Sequence, residues 1–323
     1  YGTPPSGTDR SGGSRWQKLT FQVAALIFLP ITILVLIVAF GSTSLHLSGM
    51  RQLVGDRDER AARSVANAIN DQLFHRSDQI QSLAIRGNES SSLTNVLESS
   101  AFLDQEFDLG LAYVSPEGQI IASRGQLENW ENLLAQAHSK NIEMSANMGS
   151  GIHFSQAIEF PDDNFIVLVY ASIGQEGPYA VGAFSVTSVV HQPLFSAFIP
   201  GERSSAIVVD KNRNILYSLG ESLPEHINET HPGVAEVLEG ESGATYFPIN
   251  GSEHVTAYSP IPLVEWGVVI EEPWESVTNP LLNTTQIAPL AVIPVLILSL
   301  IALWFGTQRI VQPLQSLQLR ASK

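Results

Sequence analysis

Two long runs without a single charged residue constrain everything that lies between them. Residues 19–40 read LTFQVAALIFLPITILVLIVAF, and residues 287–305 read IAPLAVIPVLILSLIALWF. As helices, both are long enough to cross ~30 Å of hydrocarbon. Pro30, Pro289 and Pro294 would break soluble helices, but a membrane helix tolerates proline where the freed carbonyls find partners. A core helix of this length would show a polar face, and a signal peptide has a shorter apolar stretch and a small-residue cleavage site. The expectation is therefore two transmembrane helices, at 19–40 and 286–306. Arg10, Arg15 and Lys18 precede the first run, and Arg309 and Arg320 follow the second. Basic flanks face the cytoplasm, so both termini are expected inside and residues 41–285 outside.

The charge of that outer segment excludes one class of partner. The chain of 323 residues has a net charge of −15. Setting aside three basic residues and one acid before Phe40, and three basic residues after Gln286, leaves 11 basic and 31 acidic residues, a net of −20. Such a segment is a poor nucleic-acid binder, because phosphate demands the opposite sign. Charged residues make up only 15% of the chain, as expected where part of it is membrane. With no Cys there is no disulfide and no thiolate metal site. The chain opens on Tyr rather than Met, so further sequence is expected around it. Its first residues are Gly-, Ser- and Pro-rich, and 1–18 reads as a disordered cytoplasmic N-terminus.

Helical periodicity governs the start of the outer segment, from about Ser44 to Arg86. Apolar or small residues recur at Met50, Val54, Ala61, Val65, Ala68 and Leu73, with Ile80 and Leu83 beyond, mostly at spacings of three, four or their sum, with Arg57 the exception. A helix this long needs a partner, either the domain it supports or its copy in a second subunit. Short strands follow. LGLAYVSPEGQIIASR reads as a hairpin around Pro-Glu-Gly, and Asn129 to Lys140 as a short helix. GIHFSQAIEF and FIVLVYASIG form a second hairpin turning at Pro161–Asn164, and PYAVGAFSVTSVV a further strand. The order then recurs: SSAIVVDKNRNILYSLG as a hairpin turning at Lys211–Asn214, PGVAEVLEGESG as a helix ended by Gly240 or Gly243, and three closing strands. The repetition is topological rather than one of sequence.

On these residues the chain resembles the double Cache sensor domains of bacterial receptors, which carry two PAS-like modules in tandem. AIVVDKNRNILYS resembles the family's strand-turn-strand opening, with Val209-Asp210 before the turn. VTAYSPIPLVEWGVVIEEPWESV resembles its closing strands, with Trp266-Gly267 before a Val-rich strand. QRIVQPLQSLQLRAS, with Arg309, Ile310, Pro313, Leu314 and Leu317, resembles the opening of a HAMP linker. The resemblance implies an α+β fold: a long N-terminal helix and two PAS-like α/β modules with antiparallel sheets, flanked by two transmembrane helices. The expected boundaries are 41–100 for the long helix and its connection, 101–198 for the membrane-distal module and 199–285 for the membrane-proximal module. Residues 307–323 are the start of HAMP.

Catalytic motifs are missing from the sequence: no Gly-rich phosphate loop, no HExxH and no GxSxG. The eight His residues show no i, i+4 pair of the kind that binds zinc on a helix. The turn at Pro161–Asn164 has calcium-like acids, but turn formation explains them. No metal, cofactor or catalytic residue is expected. The resemblance places a ligand in the distal module, where the polar or aromatic candidates are Tyr113, Arg124, Trp130, His153, Gln156, Tyr170, Ser172 and Tyr179. Arg124 could grip a carboxylate in bidentate fashion, and the aromatic rings could box a ligand body, but Tyr113 and Tyr170 fit equally well as core aromatics. Amino-acid-binding members carry a Tyr, Arg, Trp-Tyr and Asp constellation. Here Trp130 is followed by Glu131 and Arg124 falls off the required spacing, so an amino acid is not supported.

The function expected is ligand sensing and signal input across a membrane, by a small molecule or a periplasmic or extracellular binding protein, in a parallel homodimer. Family frequency favours a sensor histidine kinase of a two-component system, with diguanylate cyclase and chemoreceptor as alternatives. The rival from another class is a membrane-tethered binding or adhesion module without output.

Overall fold

The computed structural model describes residues 12–127, 129–139, 151–160, 164–174, 177–198, 203–220, 231–249 and 251–277, with scattered helical positions between 294 and 305. The chain divides into two compact units, Leu53–Val277 and the pair Tyr1–Gln52 with Thr278–Lys323. In the latter, residues 1–11 and the expected HAMP start at 307–323 lie outside the described residues, as does most of 286–306. The run at 19–40 lies on the backbone of helix α1, Gly12–Glu89, with most of its side chains also outside them. Among the described residues no helix is long and apolar enough to cross a membrane.

Within Leu53–Val277, α1 is the element on which both modules are built. Val54, Ala62, Val65, Ile69, Leu73, Ile80 and Leu83 are buried along one face. The stripe is shifted from the expected one at three points: Asp58, Ala62 and Ile69 are buried where Arg57, Ala61 and Ala68 were read. Small residues on both sides of the stripe made the two faces indistinguishable by hydrophobicity alone. The helix ends at Glu89, and Ser92 caps α2, Leu93–Ser99, accepting from the Asn95 amide.

The distal sheet has the order β2-β1-β6-β5-β3, all antiparallel, with β4 also pairing β5. Its strands are β1 Gly110–Val114, β2 Ile120–Arg124, β3 Ile152–Phe154, β4 Ile158–Phe160, β5 Asn164–Ser172 and β6 Tyr179–Ser185. Helix α3, Trp130–Ser139, covers one face and α1 the other. The segment read as one strand after Pro178 is two elements. The strand stops at Ser185, whose hydroxyl accepts from the Ser188 amide and N-caps α4, Val186–Ala197. Asp108 fixes the junction by accepting from the Ser185 amide and hydroxyl, at 3.0 and 2.7 Å. β-Branched residues hide this start, and the capping serine is its only local signal.

The proximal sheet repeats the plan, with order β8-β7-β11-β10-β9. Its strands are β7 Ser205–Val209, β8 Ile215–Gly220, β9 Gly243–Ile249, β10 Ser252–Ile261 and β11 Trp266–Pro273. Asp210 builds the first turn, accepting from the amides of Asn212 and Asn214 at 2.8 and 2.9 Å. Helix α5, Val234–Leu238, is closed by Gly240, whose amide donates to Val237. It packs on the face opposite α1, against Ile207, Val209 and Val269. One continuous apolar core, including Leu73, Phe184, Val190, Val208 and Ile270, joins α1, α4 and the inner faces of both sheets.

Candidate functional site

The distal sheet has two buried faces, and register assigns each candidate to one of them. Tyr113 and Leu111 point toward α1, as their shared core with Leu83 and Phe107 shows. The Tyr113 hydroxyl donates to the Leu83 carbonyl of α1 at 2.8 Å, and burial pushes its pKa up to about 12. Arg124 pairs with Leu111 in register and so shares that side. Its guanidinium forks onto Asp104 at 3.0 and 2.7 Å near the sheet edge, and holds that carboxyl below the usual carboxylate range. Both residues are thus engaged away from the remaining candidates.

The other face gathers five of the eight. Tyr170 lies opposite His153 of β3 and Val181 of β6, and Ser172 lies opposite Tyr179. Directly opposed residues of antiparallel strands share a face, so these side chains form one patch. Trp130 packs over it from α3 with Leu133, Leu134 and Ala137. The Tyr170 hydroxyl is buried without a hydrogen-bond partner among the described residues, and so is Nε2 of His153. Burial pushes the Tyr170 phenol far above its ordinary value. An orphaned hydroxyl costs the fold about 1–3 kcal/mol, so a partner that reaches it recovers that energy. Ser172 is turned to a local role, donating to the Gly174 carbonyl at 3.0 Å.

Gln156 sits apart, in the break between β3 and β4, where the Ser155 hydroxyl replaces a strand carbonyl by accepting from the Leu168 amide at 2.9 Å. The break opens onto a cavity of about 350 Å³ whose other wall belongs to the proximal module. His153, Gln156, Lys211, Asn212, Glu265 and Trp266 are among its lining residues. His153 therefore belongs both to the Tyr170 patch and to the junction between modules.

The proximal module carries a polar cluster that motif reading missed. Glu271 of β11 lies on the α5 face with His231 and His254 on either side. His254 Nδ1 is 2.8 Å from one carboxylate oxygen and His231 Nε2 is 3.2 Å from the other, both at ion-pair distance. Thr256 shares this face, fully buried, with no partner for its hydroxyl among the described residues. These residues come from different strands, so no i, i+4 spacing could reveal them. The available signal was alternation: after Val269, the next residue of the same parity on a buried strand is an acid, Glu271. Among the described residues no group of three or more His, Asp or Glu side chains could hold a metal ion.

The sequence profile described as Cache domain matches residues 48–281. No curated protein matches the chain by sequence. Among solved structures, the chain is similar to the extracellular domain of rpHK1S-Z16, named as a histidine kinase, with 12% identity and a TM-score of 0.52, covering 71% of this chain and 97% of that one. It is also similar to the sensory domain of the Campylobacter jejuni chemoreceptor Tlp3 with isoleucine bound, at 10% identity and a TM-score of 0.50, covering 74% and 98%. The periplasmic sensory domain of the Campylobacter jejuni chemoreceptor Tlp1 matches at 12% identity and a TM-score of 0.50, covering 72% and 99%. At these identities the likeness establishes the fold.

Proposed function

The chain belongs to the Cache domain family, and from that premise we propose that it is the extracytoplasmic ligand-sensing and signal-input region of a membrane receptor. The observation that carries the reading is the buried hydroxyl of Tyr170, without a partner among the described residues, within an aromatic patch of the distal sheet. Trp130, His153 and Tyr179 surround a ligand there, Ser172 lies at its margin, and Gln156 approaches from the junction cavity. Tyr113 and Arg124 serve the fold instead. Because Arg124 faces the other way, the bound molecule is a small, weakly charged one that accepts from or donates to a phenol, rather than one gripped through its carboxylate.

The uncharged runs at 19–40 and 286–306 and their basic flanks support two membrane spans with both termini inside. Residues 307–323 then begin a HAMP linker, and the output is a histidine kinase, with cyclase or chemoreceptor as alternatives. Phe74 and Ile85 support a parallel homodimer: they are exposed on α1 and lie 11 residues apart, a spacing that returns to nearly the same helix face.

The test is a thermal-shift screen of the full chain in detergent against small metabolites. A ligand that binds only the folded state raises the melting temperature. Tyr170→Phe keeps the ring and removes the hydroxyl, and should weaken the hit about fivefold, the worth of one hydrogen bond of ~1 kcal/mol. A hit whose affinity ignores Tyr170→Phe, Trp130→Ala and His153→Ala alike contradicts the assigned patch.

A further inference from the structure

The His231–Glu271–His254 cluster lies outside the proposed ligand patch and demands an account of its protons. His231 Nδ1 lies 3.0 Å from the Pro232 carbonyl, which can only accept. Its Nε2 lies 3.2 Å from a Glu271 oxygen. With Nδ1 donating to the carbonyl, Nε2 attracts the carboxylate only when it too carries hydrogen, that is, in the imidazolium; the approach is at ion-pair distance, and Glu271 Oε2 has no aligned hydrogen-bond partner among the described residues. His254 flanks the same carboxylate, with Nδ1 2.8 Å from Glu271 but without an aligned hydrogen bond among the described residues, and Nε2 3.3 Å from the Ser252 hydroxyl. Loss of the His231 proton leaves a lone pair facing either the carbonyl or the carboxylate. Phe247 packs edge-on against the His231 ring, and Glu236 of α5 adds a second negative charge nearby.

The opposite side of the same strand holds a second proton site. Glu272 and Asp58 of α1 share one cation, Arg57, which is also half-exposed. Asp58 is itself buried, and its Oδ2 has no partner among the described residues. Two acids with one shared cation on a buried surface favour uptake of a proton by one of them.

We propose that the membrane-proximal module contains a proton-binding site built on both sides of β11, in which protonation of His231 clamps the segment before α5 to Glu271 and protonation of Asp58 relieves the crowded pair with Glu272. β11 is the last strand before the second apolar run, so the site is placed to make the input depend on external pH. The site is independent of the Tyr170 patch and of whatever binds there.

The directions agree. Burial opposes the charge on His231, but the contacts to Glu271 outweigh it and raise its pKa above 6.5. Its stabilising contribution is fully present below the unfolded value and is lost as pH rises through the raised one. Burial, then the Glu272 charge, push Asp58 up to about 6 against the pull of Arg57. A raised carboxyl also favours the folded state when protonated, so this contribution is present below the unfolded value of 3.8 and is lost as pH rises through about 6. Both therefore stabilise the module on mild acidification.

The experiment compares the full chain in lipid nanodiscs with His231→Gln, Glu271→Gln and Asp58→Asn, using protons alone as the probe. Melting temperature is measured from pH 5.0 to 8.0. The acidic domain gains some stability on acidification from reduced self-repulsion, so the readout is the difference in slope. Wild type should lose at least about 2 °C more than each variant between pH 5.0 and 8.0. Imidazole NMR of the same chain should show the resonance missing in His231→Gln titrating above pH 6.5, and moving to 6.5 or below in Glu271→Gln. Equal slopes in wild type and all three variants overturn the proposal. So does a His231 midpoint at or below 6.5 in wild type, a result that holds even where a variant fails to fold.

Discussion

On the distal sheet, β5 sends Tyr170 to the face away from α1; on the proximal sheet, β10 sends His254, Thr256 and Tyr258 to the corresponding face. The strand orders are the same, and α1 packs on the inner face of both. What differs is the place at which a strand glycine admits a side chain from the next layer. In the distal module that place is Gly182, where an added Cβ would lie 2.4 Å from the Phe107 ring and 2.7 Å from Ile80, on the α1 side. In the proximal module it is Gly267, where the Cβ would lie 2.4 Å from Val237 of α5, on the outer side. The distal sheet is thus pressed onto the long helix and keeps an aromatic outer face with an unmet hydroxyl. The proximal sheet is closed from outside by α5, over an ion-paired cluster in which His254 Nδ1, Glu271 Oε2 and the Thr256 hydroxyl have no hydrogen-bond partner among the described residues. On the functions proposed for them, one module takes a molecule and the other a proton.

The largest expected effect tests what the two modules share. Phe107→Ala empties the space above Gly182 and removes the edge-on contact to Phe184, whose ring centroid is 6.3 Å away. It should cost about 3–5 kcal/mol in chemical denaturation, and both modules should still unfold in one transition because their inner cores are continuous. Two separate transitions would break the comparison at its root. Next, Gly267→Ala forces a methyl into Val237 and should cost about 1–3 kcal/mol. Adding Val237→Ala should recover most of that loss, and no recovery would mean that α5 is not what closes the proximal face. Tyr170→Phe should act in the other direction, raising the stability of the ligand-free chain by about 1 kcal/mol while weakening ligand binding. A loss of stability instead would mean that the hydroxyl is already satisfied. Arg124→Ala has the smallest expected effect: the exposed pair with Asp104 should be lost without a measurable change in melting temperature or ligand affinity. A clear loss of affinity would return Arg124 to the binding site.

Much of this contrast was readable from the residues, and the part that was not has definite causes. Turn chemistry announced the hairpins at Pro116-Glu117-Gly118 and at Lys211–Asn214, and with them the repeated module order. Candidates could be chosen by residue type, but not by side. GLAYV of β1 is buried along its whole length, so alternation could not tell whether Tyr113 or its neighbours faced α1. The pairing of Tyr113 with Ala180 and of Tyr170 with Val181 sends the two tyrosines to opposite faces, and pairing is a property of the sheet rather than of either strand. The proximal cluster was hidden for the same reason, since His231, His254 and Glu271 are brought together by a loop, β10 and β11. On α1, Asp58 was hidden because charge was taken as a mark of the solvent side.

The most direct test of the central claim, that the distal outer face is the ligand site, is the melting shift given by a saturating hit in two matched variants. Tyr170→Phe removes the unmet hydroxyl of the distal module, and Thr256→Val removes its counterpart in the proximal module. A shift that falls in Tyr170→Phe and stays at the wild-type value in Thr256→Val is the predicted result. A shift that survives Tyr170→Phe and falls in Thr256→Val would contradict it.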